Sequence, residues 1–160
     1  MRGRSRTPLA ATALATGVVL AGGAVLTGCS APVQLADPQV DDATRATCTA
    51  LVADAPGTVL GSPRRATTGS LSVAWGDPPI ALACGVAKPE GLTATSQCLE
   101  VDGVGWWAQD GVTGTVYTTV GRAAYVQVGV PNAYGSTGDA LAELGPVVAR
   151  HDTLLRPCAG

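Results

Sequence analysis

The sequence predicts an α+β fold, in which an antiparallel sheet of about five or six strands is flanked by an N-terminal and a C-terminal helix. Three observations lead to this prediction. Apolar residues recur with a helical period over residues 42–54 and again over 136–152, and with a period of two between residues 71 and 130. Closely spaced turn signals interrupt the two-residue pattern, which is typical of strands joined by hairpins.

The first helix is predicted from about Asp42 to Asp54. Asp41 or Asp42 can cap its N-terminus, because an aspartate oxygen accepts from the free backbone N–H groups there. Pro56-Gly57 ends it. The apolar side chains of this segment recur at helical spacing, so we expect them on one inward face. That face carries Cys48, Leu51, Val52 and Ala55.

The first strands are predicted on either side of a proline-containing turn. Residues 71–75 and 80–86 alternate large apolar with small side chains, and the Gly-Asp-Pro-Pro sequence between them predicts a hairpin. In the second of these strands, Cys84 shares the apolar face. A polar loop is predicted over residues 87–97.

The later strands are predicted around two Asp-Gly pairs, Asp102-Gly103 and Asp110-Gly111, which favour tight turns. Two further strands bend around Gly121-Arg122, and Pro131 closes the last one. In that last strand the valines at 126, 128 and 130 point to one face and Tyr125 and Gln127 to the other.

The second helix is predicted over residues 136–152. Its candidate capping residues are Ser136, Thr137 and Asp139. Its inward stripe consists of Leu141, Leu144 and Val148. We expect Gly145-Pro146 to kink or interrupt it, because proline lacks the helical N–H donor.

Residues 1–28 have the three parts of a secretory signal: arginines at positions 2, 4 and 6, an uncharged run from Leu9 to Leu26, and small residues at its end. A membrane-spanning helix is the alternative, but the glycines in the run weaken a helix. Leu26-Thr27-Gly28-Cys29 resembles the bacterial lipobox, in which the cysteine is alkylated by a diacylglyceryl group and becomes the new N-terminus. An ordinary signal peptide is the other alternative.

This prediction divides the chain into a signal peptide at 1–28, a lipidated Cys29 with a flexible tether through residue 41, and a globular domain at 42–160. The leader holds three of the ten basic residues and none of the twelve acidic ones, so the mature chain has a net charge of −5. Nucleic acid is therefore not an expected partner. The use of nine arginines and one lysine indicates a GC-rich genome, such as that of an actinobacterium.

Four cysteines remain in the mature chain beside Cys29, and an even number outside the cytoplasm predicts two disulfides. Three pairings are open. We favour Cys84–Cys98, because these two flank one loop, and Cys48–Cys158, because chain ends often meet. The cysteine spacing lacks a metal-binding pair and there is one histidine, so neither a metal nor another cofactor is expected.

No catalytic set is found among the usual residue types. Glu100 and Asp102 are two positions apart and form a candidate carboxylate pair of the glycosidase type, with Asp110 further on. Asp102 fits a tight turn equally well. His151 is interpreted as a solvated or capping residue at the end of the second helix.

The aromatic residues suggest a binding surface. Trp106 and Trp107 are adjacent on a strand and must point to opposite faces. We predict a platform of Trp107, Tyr117 and Tyr125 with Arg122 beside it, suited to a sugar or a partner protein. The alternative is that both faces of the sheet are covered.

Three stretches of the sequence, WGDPPIALACGV, VDGVGWW and YTTVGRAAYVQVGVP, resemble an actinobacterial secreted or lipid-anchored family, the domain of unknown function three-five-one-five. The resemblance covers about residues 46–150, and Trp75–Val86 is its most specific part. Ala83 stands where the family usually has an arginine. The resemblance implies a membrane-anchored envelope protein and supplies no reaction.

We therefore expect a lipid-anchored protein on the extracytoplasmic face of the cell membrane, acting as a non-enzymatic binding or scaffolding module with an envelope protein or cell-wall glycan as partner. Two alternatives stay open. One is an envelope hydrolase acting on wall glycan or peptide, and the other is a small-molecule carrier with a pocket between sheet and helices.

Overall fold

Both helices pack against the same face of an eight-stranded antiparallel sheet. The computed structural model describes residues 31–93 and 95–158. The helices are α1 (Asp42–Ala53) and α2 (Asp139–His151). The strands are β1 (Thr58–Val59), β2 (Ser62–Arg65), β3 (Ser72–Trp75), β4 (Ile80–Cys84), β5 (Leu99–Val101), β6 (Val104–Asp110), β7 (Gly114–Val120) and β8 (Val126–Pro131), with a short 3-10 turn at Asn132–Tyr134. The α+β class is confirmed.

The order of strands across the sheet is β1-β2-β3-β4-β8-β7-β6-β5. The hairpins β3–β4, β5–β6, β6–β7 and β7–β8 join neighbours in sequence, whereas β8 returns to lie beside β4. Strands β1 and β2 were not predicted from the sequence, because they are two and four residues long and have no apolar alternation. Leu60 and Gly61 both take positive φ angles to make the turn between them.

Helix α1 forms as its sequence predicts. The Asp41 side chain caps it by accepting a 2.8 Å hydrogen bond from the Thr44 backbone N–H, and the helix ends one residue earlier than expected, at Ala53. Cys48, Leu51 and Val52 are buried on its inward face. The hydrophobic period therefore located this helix and its buried side.

Helix α2 differs from its prediction at two points. Its N-cap is Gly138, which makes no side-chain capping bond, so the expected capping by Ser136, Thr137 or Asp139 is wrong. The helix also runs through Pro146 without interruption. Buried side chains on both sides of the proline hold the helix against the sheet, namely Ala140, Leu141, Leu144, Val147 and Val148.

The core lies between the helices and the inner face of the sheet. Trp75, Ile80 and Leu82 are fully buried on β3 and β4, and Trp106 is fully buried on β6. The valines of β8 at 126, 128 and 130 face the same core, as their alternation predicts. The Asp102-Gly103 turn is also confirmed, with positive φ angles at both residues.

The disulfides join Cys48 to Cys84 and Cys98 to Cys158. The pairing favoured from the sequence is therefore wrong, although the prediction of two disulfides is confirmed. Cys84 points into the core at the end of β4, where it meets Cys48 on the inward face of α1. Because β8, β7 and β6 separate β4 from the edge strand β5, Cys98, just before β5, lies roughly 19 Å from Cys84 at the usual strand spacing.

The segment preceding α1 is attached to the domain. Val33 pairs in parallel with Thr67, through hydrogen bonds to the backbone of Ala66 and Thr68 of 2.9 and 3.0 Å. The Asp37 carboxylate accepts hydrogen bonds from both Ser70 donors and from the Leu71 N–H, at 2.6 to 2.9 Å. The predicted tether at 29–41 therefore does not extend freely through residues 33–37, which belong to the globular part.

The predicted signal peptide, residues 1–28, and the predicted lipidation site, Cys29, lie outside the described residues. Within residues 31–93 and 95–158, no helix has the length and apolar character needed to cross a membrane.

Candidate functional site

The outer face of the sheet, opposite the helices, carries a row of side chains across five strands. Strand register places Trp107 beside Thr118, Thr118 beside Gln127, Gln127 beside Ala83, and Ala83 beside Ser72. Trp107, Gln127 and Ala83 are half-buried, whereas Thr118 and Ser72 are buried. The Gln127 side-chain amide donates to the Thr118 hydroxyl at 3.3 Å. We call these five residues the outer row.

Two of the four predicted platform residues lie on this outer face. Trp107 stands in the outer row, and Tyr125, just before β8, points to the same side as Gln127, two positions further along the chain. Both aromatic rings are half-buried. A Cβ on Gly91 would lie 3.0 Å from the Trp107 ring, so the loop before β5 packs directly on one side of the indole.

Tyr117 does not join the platform. Because Trp107 pairs with Thr118, Tyr117 pairs with Ala108 and points to the inner face, where it is 6% exposed. Its hydroxyl forms a hydrogen bond with the Thr137 hydroxyl. The prediction that Tyr117 lies on the binding surface is wrong, and the cause is one residue of strand register, which the sequence did not specify.

Arg122 is also buried, at 7% exposure, so its predicted place on the surface is wrong. Its guanidinium donates to the carbonyl oxygens of Asp152 and Gly103, and so links the β7–β8 connection to the end of α2 and to the β5–β6 turn. The Asp152 carboxylate accepts from the Ala124 N–H at 3.0 Å. Burial raises the pKa of Asp152, and the hydrogen bond from Ala124 and the charge of Arg122 oppose that rise.

A pocket of about 220 Å³ lies at one end of the outer face, beside Tyr125. Its walls are the loop before β5 and the C-terminal segment after α2. It is lined by Lys88, Leu92, Thr93, Ser96, Val120, Gly121, Tyr125, Arg156 and Pro157. Its residues contribute two cationic groups, three hydroxyl groups and no carboxylate.

The polar residues of this pocket were not predicted from the sequence. Lys88 is the one lysine of the chain, and Arg156 lies two positions before Cys158. The Cys98–Cys158 pairing brings the two segments together, and the sequence favoured another pairing. Knowledge of that disulfide is therefore the signal that could have revealed the pocket.

Of the three carboxylates considered for catalysis, Asp110 lies far from the other two. Glu100 is on β5, Asp102 is in the β5–β6 turn, and Asp110 is at the far end of β6, roughly 20 Å along that strand from the turn. The Asp110 carboxylate accepts a 2.9 Å hydrogen bond from the Thr115 hydroxyl on the next strand. All three residues are exposed to solvent.

His151 lies away from the outer face, between the two helices. Its Nε2 is 2.8 Å from an Asp54 carboxylate oxygen, and Arg150 lies 3.6 Å from the same oxygen. This contact joins the ends of α1 and α2. Among residues 31–93 and 95–158, no group of three or more His, Cys, Asp or Glu side chains is arranged to hold a metal ion.

Comparison with protein families identifies one match, described as a protein of unknown function (DUF3515), over residues 9–154. Comparison with curated proteins and with solved structures finds no match. The family match spans about nine-tenths of the chain and includes both helices and all eight strands. The chain therefore belongs to the DUF3515 family.

Proposed function

We propose that this protein is a lipid-anchored cell-envelope protein, attached through Cys29 to the extracytoplasmic face of the cell membrane, and that it acts there as a non-enzymatic binding module. The ligand surface in this proposal is the outer face of the sheet, with Trp107, Gln127 and Tyr125. The observation that carries the binding role is that half-buried aromatic and amide groups occupy the face that neither helix covers.

Support for the anchor comes from the sequence. A basic start, an uncharged run and small residues before Cys29 are the features that lead to alkylation of a cysteine and cleavage before it. Two or more acyl chains, at about 0.8 kcal/mol per buried methylene, give stable attachment where one chain gives reversible binding.

Support for an extracytoplasmic location comes from the disulfides. Cys48–Cys84 crosses the core between α1 and β4, and Cys98–Cys158 ties the C-terminal segment to the loop before β5. Disulfides of this structural kind persist in oxidising compartments and are rare in the cytosol.

Residues 33–37, which are hydrogen-bonded to the domain, limit the distance between the domain and the proposed membrane anchor. Val33 is hydrogen-bonded to the domain, and four residue steps separate it from Cys29. A fully extended chain covers about 3.5 Å per residue, so this link spans at most roughly 14 Å. The proposed anchor would therefore hold the domain close to the lipid headgroups.

The geometry favours a binding module over the hydrolase. A glycosidase needs two carboxyl groups about 5–10 Å apart on either side of its substrate. Asp110 lies at the far end of β6 from Glu100 and Asp102, and those two are exposed near the β5–β6 turn. A carrier for drug-sized molecules needs about 300–1,000 Å³. The open cavities beside Trp107 and Tyr125, of about 590 and 480 Å³, are large enough, so volume does not separate a carrier from a binding module.

Site-specific photo-crosslinking in living cells tests the binding role. A photoreactive amino acid replaces Gln127 in the outer row, and in a matched control it replaces Arg45, which is exposed on α1. We expect adducts with envelope protein or cell-wall glycan from position 127 and not from position 45. Equal yields from both positions, or none from position 127, would rule out the outer face as the binding surface.

A further inference from the structure

The pocket beside Tyr125 concentrates positive charge in an acidic protein. The mature chain predicted from the sequence has seven basic and twelve acidic residues, yet two of those seven, Lys88 and Arg156, line this one pocket without any acidic residue. Within the described residues, neither side chain has a carboxylate partner, whereas Arg65 and Arg150 each lie within 3.6 Å of one. Two unpaired cations facing one cavity attract an anion.

The walls of the pocket are held in place by the backbone and by a disulfide. The Leu155 and Arg156 N–H groups both donate to the Gly121 carbonyl, at 2.7 and 3.0 Å. On the other wall, the Val86 N–H donates to the Tyr125 carbonyl at 3.2 Å, shortly before Lys88. The bases from which both cationic side chains extend are therefore fixed before a ligand arrives, which lowers the entropy cost of binding.

The Cys98–Cys158 disulfide connects these two walls. Cys98 follows Ser96 by two residues, and Cys158 follows Arg156 by two residues. A Cβ on Gly105 would lie 3.1 Å from the Cys158 sulfur, so the C-terminal segment rests closely on the outer side of β6. The disulfide thus joins the loop that carries Ser96 to the segment that carries Arg156.

Polar and aromatic groups complete the site. The Ser96 hydroxyl accepts a 2.8 Å hydrogen bond from the Thr93 N–H, which orders the rim of the loop. The Tyr125 hydroxyl makes no hydrogen bond within the described residues and its ring lines the pocket. An anion held here would receive charged donors from two sides and contact an aromatic surface on the third.

We propose that this pocket binds the oxyanion end of a small ligand, a carboxylate or a phosphate ester, between Lys88 and Arg156. This inference rests on the proposed binding function and names the chemistry recognised at one end of the outer face. The volume of about 220 Å³ accommodates an anionic group with a few attached carbons, so the remainder of a larger ligand extends along the outer row towards Trp107.

The test uses the full-length protein in neutral maltoside micelles. Inorganic phosphate and acetate are titrated separately, and backbone amide signals are followed by NMR. We expect saturable shifts at Gly121, Tyr125 and Arg156 at millimolar anion. Chloride at the same ionic strength serves as the salt reference and should leave those signals unsaturated.

Paired variants decide whether the two cations are responsible. Lys88→Gln with Arg156→Gln is expected to weaken phosphate binding on the order of tenfold or more, because charged hydrogen bonds are lost. Arg45→Gln with Arg150→Gln changes the net charge equally at sites on the helices and should alter the affinity less than about twofold. Circular dichroism and non-reducing peptide maps confirm that both double variants are folded.

Absence of saturable shifts, or equal weakening by the two double variants, would overturn the proposal. A further arm replaces part of the detergent with phosphatidylglycerol. Shifts at the same amides with this lipid identify a headgroup as the source of the oxyanion, and shifts with soluble anions alone identify a free ligand. Crosslinking at position 127 is measured independently, so a failed anion titration leaves the proposed binding face testable by itself.

Discussion

Cys98 and Cys158 are joined across 60 residues of sequence, with their Cα atoms 6.1 Å apart. This disulfide attaches the last described residues to the loop before β5, over the outer side of β6. It therefore determines both the position of the C-terminal segment and the shape of the pocket beside Tyr125.

Removing this disulfide should destabilise the protein and loosen the pocket. By loop-closure entropy, a link closing about 60 residues contributes about 4 kcal/mol, so we expect Cys98→Ala with Cys158→Ala to lower the free energy of unfolding by about that amount. Urea denaturation measures the change. Cys48→Ala with Cys84→Ala is the comparison, and we expect a larger loss there because both sulfurs are fully buried in the core.

Non-reducing peptide mapping checks the connectivity on which that prediction depends. The structure predicts linked peptides containing Cys48 with Cys84 and Cys98 with Cys158. Recovery of a peptide linking Cys84 to Cys98 would contradict the strand order, because β4 and β5 lie on opposite sides of three other strands.

Asp37 should stabilise the attachment of the N-terminal segment. Hydrogen bonds, first from the Ser70 hydroxyl and then from the Leu71 and Ser70 N–H groups, lower the pKa of Asp37 below its ordinary value of 3.8. Because the folded-state pKa is lowered, this stabilisation is present above pH 3.8 and is lost as the pH falls through the lower folded value.

The variant Asp37→Asn should therefore weaken the attachment of residues 33–37 at neutral pH. The carboxylate is largely solvated, so the expected loss of stability is small, about 1 kcal/mol or less. Hydrogen exchange at the Ser70 and Leu71 amides should accelerate. Glu100→Gln, which removes an exposed charge on β5, is the control, and equal acceleration in that variant would argue against the role of Asp37.

The contribution of Asp152 to stability should depend on pH in the direction opposite to that of Asp37. Burial raises the pKa of this carboxyl above 3.8, so the folded protein holds a proton more strongly than the unfolded chain does. Its contribution to stability is full below pH 3.8 and declines as the pH rises through the raised value.

The difference between wild type and Asp152→Asn isolates this effect. We expect the unfolding free energy of wild type, relative to that of the variant, to fall as the pH rises from about 4. Urea denaturation at a series of pH values measures the difference. In the structure, one Asp152 carboxylate oxygen is buried without a hydrogen-bond partner. A difference that stays constant or increases over that pH range would contradict this placement.

Trp107 should be the tryptophan that reaches solvent. Trp75 and Trp106 are fully buried, whereas Trp107 is half-buried on the outer face. Iodide should therefore quench one component of the tryptophan fluorescence, and Trp107→Phe should remove that component. The matched variant Trp106→Phe should retain it, and loss of the quenchable component in Trp106→Phe instead would invert the assigned register of β6.

Local patterns in the sequence predicted much of the fold. The periods of three to four residues located α1 and α2, and the Asp-Gly pairs located the β5–β6 and β6–β7 turns. These features depend on neighbouring residues and so are visible in a single sequence. The inward faces of Cys48 and Cys84 were predicted for the same reason.

Relations between distant segments could not be predicted in this way. The sequence does not show that β8 inserts between β4 and β7, and this insertion separates Cys84 from Cys98. It also does not show that Thr118 rather than Tyr117 pairs with Trp107, since a shift of one residue reverses the face. Of the four residues predicted for the platform, Trp107 and Tyr125 therefore lie on the outer face, and Tyr117 and Arg122 do not.

Metabolic labelling with an alkyne analogue of palmitate tests the central claim of a lipid-anchored envelope protein most directly. Cells producing wild type or Cys29→Ser are labelled, the protein is isolated, and the attached fatty acid is detected by mass spectrometry of the N-terminal peptide. We predict acylated Cys29 at the N-terminus of wild type, recovered in the membrane fraction, and no label on Cys29→Ser. A wild-type protein that carries no acyl group and retains residues 1–28 would contradict the account.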